Sequence, residues 1–332
     1  MIVVDADVLG RNRTGDETYV ANLLRELPQV APDLHFAALT RRPDLVPDGV
    51  EAIHVPARLQ ELRMAVRVPL LLRRLRPQLV HFVHALPPAL PCPAVLTVQD
   101  LSFERDASLM GRRETAIFRL TVPRSVRRAQ RVFAISQRTK NDLVELYRVA
   151  PDHVVVTPLA VDPEFRPGGR RGDYVLYVGS IEPRKRPLVA ADAAAAAGRR
   201  LVVVGPERDA SLAAQLRARG AELRGYVEKD ELARLYREAA ALLAPTQYEG
   251  FGLTVAEAMA SGTPVVAAPD AAVKEVGADA IEYAEPEAFG EALRRVLAEP
   301  ARWSAAGLER SRAFSWERTA EATAAVYREV LG

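Results

Sequence analysis

The chain has 332 residues, 49% hydrophobic and 27% charged, a balance that excludes a disordered chain. Forty-five basic and 43 acidic residues leave a net charge of +2, too small to argue for a nucleic-acid partner. A single cysteine, Cys92, excludes a disulfide framework and a cysteine metal cluster, and no apolar run approaches the ~18 residues of a membrane-spanning helix.

The length predicts about two domains. Met1-Ile2-Val3-Val4-Asp5 meets a carboxylate after three apolar residues and reads as a strand start, not a signal peptide. The expected compartment is therefore the cytoplasm. Charge is unevenly spread. Residues 105–140 carry ten Arg or Lys against Asp106 and Glu114, and residues 58–76 carry six Arg against Glu61. The first half therefore has the more positive surface.

In chain order, strands are predicted at Ile2–Val8, Phe36–Leu39, Ala52–Val55, Leu79–Val83, Ala94–Val98, Val132–Ile135 and Val154–Thr157. Helices fill Asp16–Leu27, Leu59–Leu75, Arg112–Ala129 and Arg138–Leu146. The pattern then repeats. Strands are predicted at Tyr174–Val178, Leu201–Val204, Glu222–Tyr226, Ala241–Ala244, Pro264–Ala267 and Ile281–Tyr283, with helices at Leu188–Ala197, Ala210–Arg219, Lys229–Ala240 and Thr254–Ala260. Helices close the chain at Glu287–Leu297, Ala301–Ala313 and Trp316–Val330. Such alternation means βαβ units and parallel sheets covered on both faces. Asp162–Gly172, rich in Pro, Gly and charge, reads as the interdomain linker. The expected architecture is α/β, with two Rossmann-like domains facing across a cleft lined by strand-to-helix loops. Domains are expected at residues 1–166 and 167–314, with a C-terminal helix at 315–332 packing back on the first.

Two segments carry chemistry. Tyr248-Glu249-Gly250-Phe251-Gly252-Leu253-Thr254-Val255-Ala256-Glu257 follows an apolar strand and opens a helix, where α/β folds hold phosphates and sugars. Gly250 and Gly252 let backbone N–H groups approach a ligand. Glu249 and Glu257 can point into one pocket and meet vicinal hydroxyls. A bland alternative is that Thr254 and Glu257 form a capping box. The second segment is Val178-Gly179-Ser180-Ile181-Glu182-Pro183-Arg184-Lys185-Arg186-Pro187. A glycine and serine at a strand end, followed by two cations at a helix start, suit a diphosphate. A helix start is otherwise the wrong end for cations. The pair is expected to face solvent.

Together these residues resemble family 4 glycosyltransferases with the GT-B fold, over essentially the whole chain. The family's paired glutamates correspond to Glu249 and Glu257 in Glu-Gly-Phe-Gly, and its phosphate-binding pair to Arg184 and Lys185. Gly225-Tyr226-Val227, Ala258–Val266 and Pro158–Pro163 match as well. The Glu-Pro-Arg-Lys form is similar to mannosyl- and related transferases of polysaccharide assembly. The resemblance implies a retaining, metal-independent hexosyltransferase without a cofactor. Its donor would be a nucleotide-sugar, with GDP-mannose first and a UDP- or dTDP-sugar next. The acceptor would be a glycan, lipid-linked or small-molecule hydroxyl. Glu257 would hold the ribose. Glu249 with the backbone of Gly250, Phe251, Gly252 and Leu253 would hold the donor sugar. Arg184 and Lys185, with Gly179 and Ser180, would clamp the diphosphate, and the backbone around Val227 would meet the base.

The chain departs from the family twice. Gln99, in Val98-Gln99-Asp100-Leu101, stands where the family usually has His; it can bind a sugar hydroxyl but cannot transfer a proton. The glycine-rich first loop is reduced to Gly15 in Arg13–Tyr19, beside Asp16 and Glu17, which would repel a phosphate. Thr14 and Glu17 also spell a capping box. The five histidines show no metal-ligand spacing, and core or surface packing is expected of His81 and His84. Residues 58–76 alternate apolar residues with Arg and read either as a plain surface helix with its apolar side on the sheet or as a helix lying on an anionic membrane. A non-catalytic nucleotide-sugar-binding homologue and a GT-B epimerase are the alternative readings. A phosphorylase would require a longer chain and a cofactor lysine site.

Overall fold

The computed structural model describes residues 1–11, 14–56, 59–105 and 112–332; Arg13, Arg58 and Asp106, named above, lie outside the described residues. The chain forms two compact units, residues 1–159 with 315–332, and residues 160–314.

The first unit runs β1 (Ile2–Asp5), α1 (Thr14–Val30), β2 (Phe36–Thr40), β3 (Val50–His54), α2 (Gln60–Leu62), a π-helical turn (Arg63–Arg67), α3 (Val68–Leu75), β4 (Leu79–Val83), β5 (Ala94–Val98), α4 (Ser102–Arg105), α5 (Arg112–Arg128), β6 (Arg131–Ala134), α6 (Gln137–Tyr147) and β7 (Val154–Val156). Its seven strands are parallel in the order β3-β2-β1-β4-β5-β6-β7. β2 and β5 are buried along their whole length, as strands covered on both faces must be.

The second unit runs β8 (Tyr174–Val178), α7 (Pro187–Ala196), β9 (Arg200–Val204), α8 (Ala210–Ala218), β10 (Glu222–Gly225), α9 (Lys229–Glu238), β11 (Ala241–Ala244), α10 (Leu253–Ala260), β12 (Val265–Ala267), α11 (Ala271–Gly277), β13 (Glu282–Tyr283), α12 (Phe289–Ala298) and α13 (Pro300–Ser311). Its six parallel strands are ordered β10-β9-β8-β11-β12-β13. Asp162 and Phe165, within the expected linker, are buried in this unit, with Phe165 edge-on to Tyr236. The last helix, α14 (Trp316–Leu331), returns to the first unit. It buries Trp316, Ala320, Ala324 and Tyr327 there, with Trp316 against Tyr19 of α1.

Three expectations need correction. The first strand stops at Asp5 rather than Val8, because Asp7 turns aside to Arg41 at 2.7 Å and to Arg63. The helix expected over Leu59–Leu75 is interrupted by a π turn, and in it Arg63 is wholly buried, paired with Asp5 and Asp7. One Arg of that stretch is therefore a core ion pair, and not part of a charged surface. α11 was not foreseen; Asp270 caps it by accepting from the N–H groups of Ala272 and Val273. No helix among the described residues is long and apolar enough to cross a membrane.

Candidate functional site

Both motif segments of the second unit leave the carboxyl ends of β8 and β11, which are neighbours. The chain proceeds from β8 outward to β9 and β10, then returns to β11 on the other side. This is the reversal of strand order at which open α/β sheets bind ligands.

After β8 the backbone is tightly constrained. Gly179 has φ +155°, its N–H donates to Val204 O at 2.9 Å, and Tyr177 donates its hydroxyl to Ser180 O at 3.0 Å. A Cβ on Gly205, at the end of β9, would lie 2.1 Å from Gly179 O, so only glycine fits there. Pattern reading of the sequence missed Gly205, because it belongs to no motif.

Arg184 and Lys185 sit in a 3-10 turn, Pro183–Lys185, ahead of α7 rather than at its first turn. They do not face solvent: their side chains are 19% and 16% exposed. Arg184 donates to Tyr248 O at 2.7 Å and to Glu182 Oε1 at 2.8 Å, while its own carbonyl accepts from Gln247 N–H at 2.9 Å. Lys185 Nζ donates to Glu249 Oε1 at 2.5 Å. The physical reason is that the turn docks on the Gln247–Glu249 loop, which supplies acceptors for both cations. The fold thus joins the two segments into one site.

The two glutamates have different environments. Burial alone would raise the Glu249 carboxyl, but Lys185 and Arg184 outweigh it and hold it below the ordinary range. Glu249 is therefore an ionised partner of the cations. Glu257 is buried in α10 and accepts from the Tyr236 hydroxyl at 2.9 Å. Burial pushes it up to about 8, with the charge of Asp162 adding and Tyr236 and Lys229 opposing. At neutral pH it is largely protonated. Asp162 itself is buried and paired with Lys229. The capping-box alternative fails here: α10 begins at Leu253 with Gly252 as its N-cap at φ +99°, and no side chain caps it. Among the remaining residues, Phe251 is buried edge-on to Phe314 at 5.4 Å. Gly250, Leu253 and Val227 are half-buried. Tyr236 is the functional candidate that sequence reasoning missed, since nothing in its spacing links it to Glu257.

In the first unit, Gly15 lies in the opening turn of α1. Gln99 follows β5, with its Oε1 3.8 Å from the place a Gly15 Cβ would take. Gln99 is buried, and its Nε2 has no hydrogen-bond partner among the described residues. The acidic residues beside Gly15 are engaged: Glu17 accepts from Gly10 N–H at 2.6 Å and Asp16 from His84 Nε2 at 3.1 Å. Glu17 thus reaches back to the β1–α1 loop, away from the opening turn. His81 is a core residue, 2.5 Å from the Tyr327 hydroxyl and 2.7 Å from Thr97 Oγ1, and burial drives it down to about 3.

Comparison with known proteins now identifies the architecture. Residues 13–165 match the profile of Glycosyltransferase Family 4, and residues 172–299 that of Glycosyl transferases group 1. The chain is 32% identical over 240 residues to a D-inositol 3-phosphate glycosyltransferase of Frankia alni, covering 60% of this chain and 59% of that protein. The match therefore spans less than two thirds of that relative's length. The chain is 27% identical over 267 residues to O-antigen chain mannosyltransferase B of Escherichia coli, covering 71% and 70%. Among solved structures, sucrose-phosphate synthase from Thermosynechococcus elongatus superposes with a TM-score of 0.80 at 18% identity, covering 99% of this chain and 98% of that one. Anabaena HepE in complex with UDP-glucose superposes with a TM-score of 0.74 at 14% identity, covering 99% and 100%. With two Rossmann-like parallel-sheet units and both profiles matched in succession, the chain belongs to the family 4, group 1 glycosyltransferases of GT-B fold.

Proposed function

We propose that this protein transfers a hexosyl group from a nucleotide-sugar to a hydroxyl acceptor with retention of anomeric configuration, mannose from GDP-mannose being the first choice of donor. The observation that carries this reading is the docking of Arg184 and Lys185 on the Tyr248–Glu249 loop. It brings two cations and a carboxylate to one strand-order reversal. The mannosyltransferase named among the relatives supports the sugar. The HepE complex supports a nucleotide-sugar but carries UDP-glucose, so the base is the first variable to test.

In this reading the second unit holds the donor and the first the acceptor. Arg184 and Lys185 stabilise charge growing on the diphosphate as the glycosidic bond breaks. Donor binding must displace Lys185 and Arg184 from Glu249 and Glu182, which releases Glu249 toward the sugar hydroxyls. The backbone of Ser180 and Gly250–Leu253 supplies neutral donors, with Gly179 leaving room for the diphosphate, Val227 lies beside the base, and Glu257 grips the ribose. The leaving phosphate takes the acceptor's proton on the same face, so no protein base is required, and Gln99 contributes a hydrogen bond to a sugar hydroxyl.

Contact with an anionic membrane belongs to the same reading. Leu59, Leu62, Val66 and Leu70 are 63%, 47%, 43% and 51% exposed, spread from the start of α2 through the π turn into α3. Arg67, Arg73, Arg74 and Arg76 are exposed among them. Ile117 and Leu120 of α5 are also exposed, beside Arg113 and Arg124.

The deciding experiment is calorimetry with GDP-mannose, UDP-glucose and a dTDP-sugar, followed by an assay of the bound donor with and without acceptor. Transfer with retained configuration supports the proposal. Binding without turnover favours a non-catalytic homologue, and epimerised donor favours an epimerase.

A further inference from the structure

Tyr236, in the last turn of α9, is wholly buried, and among the described residues its hydroxyl has one partner, Glu257 Oε2 at 2.9 Å. Burial makes that bond obligatory, because a phenol sealed from water must find a protein acceptor for its proton. The ring is held in place. Phe165 stands edge-on to it at 5.7 Å, and the Tyr236 carbonyl accepts from the Thr263 hydroxyl. At the other end of α9, Lys229 pairs with the buried Asp162. Both ends of the helix are therefore tied to residues 162–165.

Glu257 gains its orientation from this frame. A glutamate side chain turns about several bonds, and a ligand that had to order it would bind less tightly. Here Tyr236 holds Oε2, while Oε1 accepts no hydrogen bond among the described residues. Glu257 also keeps 8% of its surface open. One oxygen is fixed inward and the other is left for a ligand. Packing alone does not require the Tyr236 hydroxyl, since phenylalanine would fill the same space and keep the contact with Phe165.

We propose that Tyr236 is a positioning residue for nucleotide binding: it presents Glu257 to the vicinal hydroxyls of a ribose, so that the second unit selects ribonucleotides over 2′-deoxyribonucleotides. This rests on the reading that Glu257 meets the ribose.

The test is calorimetry of GDP, UDP and their 2′-deoxy forms with the full chain as wild type, Tyr236→Phe, Glu257→Ala and the double variant. Wild type is expected to bind the ribonucleotide at least about tenfold more tightly than its deoxy form, the scale of one hydrogen bond to a charged group. Tyr236→Phe should weaken the ribonucleotide by about tenfold and leave the deoxy form within about twofold. Added to Glu257→Ala, it should change nothing further, because it acts through that carboxyl.

A pH profile supplies the second readout. Tyr236 and Lys229 of α9 and Asp162 act on Glu257; burial holds its carboxyl up at about 8, and the Tyr236 hydrogen bond is the main influence lowering it. Ribonucleotide affinity should therefore rise with pH to about 8 in wild type. Tyr236→Phe should carry that rise to higher pH, a shift that lost packing would not produce. Unchanged affinities in Tyr236→Phe overturn the positioning role, as does equal weakening of both nucleotide forms or a wild type indifferent to the 2′-hydroxyl. Unchanged ribonucleotide affinity in Glu257→Ala overturns the ribose reading itself, and a wild type that binds neither GDP nor UDP overturns the nucleotide-sugar reading. The proposal falls with either.

Discussion

Tyr236 donates its hydroxyl to Glu257 Oε2 at 2.9 Å, and this pair is buried. The carboxyl proposed to hold a ribose is therefore held as an acid beside a phenol whose own proton burial retains. To accept hydrogen bonds from a diol, Glu257 would lose that proton. Nucleotide binding at pH 7 should release about one proton, detectable by calorimetry in buffers of different ionisation enthalpy, and Glu257→Gln should abolish the release. Glu257→Ala should weaken free nucleotide and nucleotide-sugar alike; unchanged nucleotide affinity would remove Glu257 from the site.

The same pair predicts a pH dependence of stability. Glu257 titrates near 8 in the folded chain, against an ordinary 4.5. Between these values the unfolded chain loses a proton that the folded one keeps, so stability falls as pH rises from about 4.5 to about 8. Glu257→Gln mimics the protonated form. It should be nearly neutral at pH 5 and stabilising at pH 8 by an amount on the order of a few kcal/mol. Tyr236→Phe removes a hydrogen bond that lowers the Glu257 value, and should move its titration to still higher pH. Thermal denaturation of the three proteins from pH 5 to 9 measures both effects.

Lys185→Ala should lower turnover by ~100-fold or more, the scale for a lost charge-stabilising donor. Arg184→Lys should substitute poorly, because an ammonium cannot reproduce a bidentate fork. Because Lys185 pairs with a half-buried carboxylate, its removal should also reduce stability. The added change Glu249→Gln should recover that loss while leaving turnover low. Steady-state kinetics beside denaturant unfolding separates the two consequences. Near-wild-type turnover in Lys185→Ala would exclude the diphosphate clamp.

Glu249 predicts the opposite pH behaviour to Glu257. Its carboxyl is held low by Lys185 and Arg184, so its stabilising contribution is complete above about 4.5 and disappears as pH falls through the lowered value. Glu249→Gln should therefore flatten the acid limb of the stability profile below pH 4.5. An acid limb identical to wild type would show that the ion pair does not persist in solution.

Gln99→Ala should lower turnover modestly, since it removes one uncharged hydrogen bond, and Gln99→His should keep or raise it. Vesicle sedimentation provides a separate test of the exposed apolar face. Leu62→Ser with Leu70→Ser should reduce binding to vesicles containing anionic lipid, and neutral vesicles should bind little in either case. Equal binding of wild type and variant would exclude this face.

The alternation of apolar runs and helical patterns was legible in the sequence because a strand covered on both faces must be apolar throughout. That rule holds for β2 and β5, buried along their whole length, and not for the edge strands β3 and β10, which carry Glu51 and Glu222. Among the described residues the strands lie within a few residues of those expected. The glycine-flanked glutamates and the Arg184–Lys185 pair were legible for a similar local reason: their spacing relative to a strand end survives without knowledge of the fold. Partners far apart in sequence were not legible. Lys185 meets Glu249 across 64 positions, Tyr236 meets Glu257 across 21, and Asp16 meets His84 across 68. These contacts exist because parallel crossovers bring the ends of non-consecutive strands together. Only that packing decides which cation is paired, which carboxyl keeps its proton and which arginine, such as Arg63, is buried.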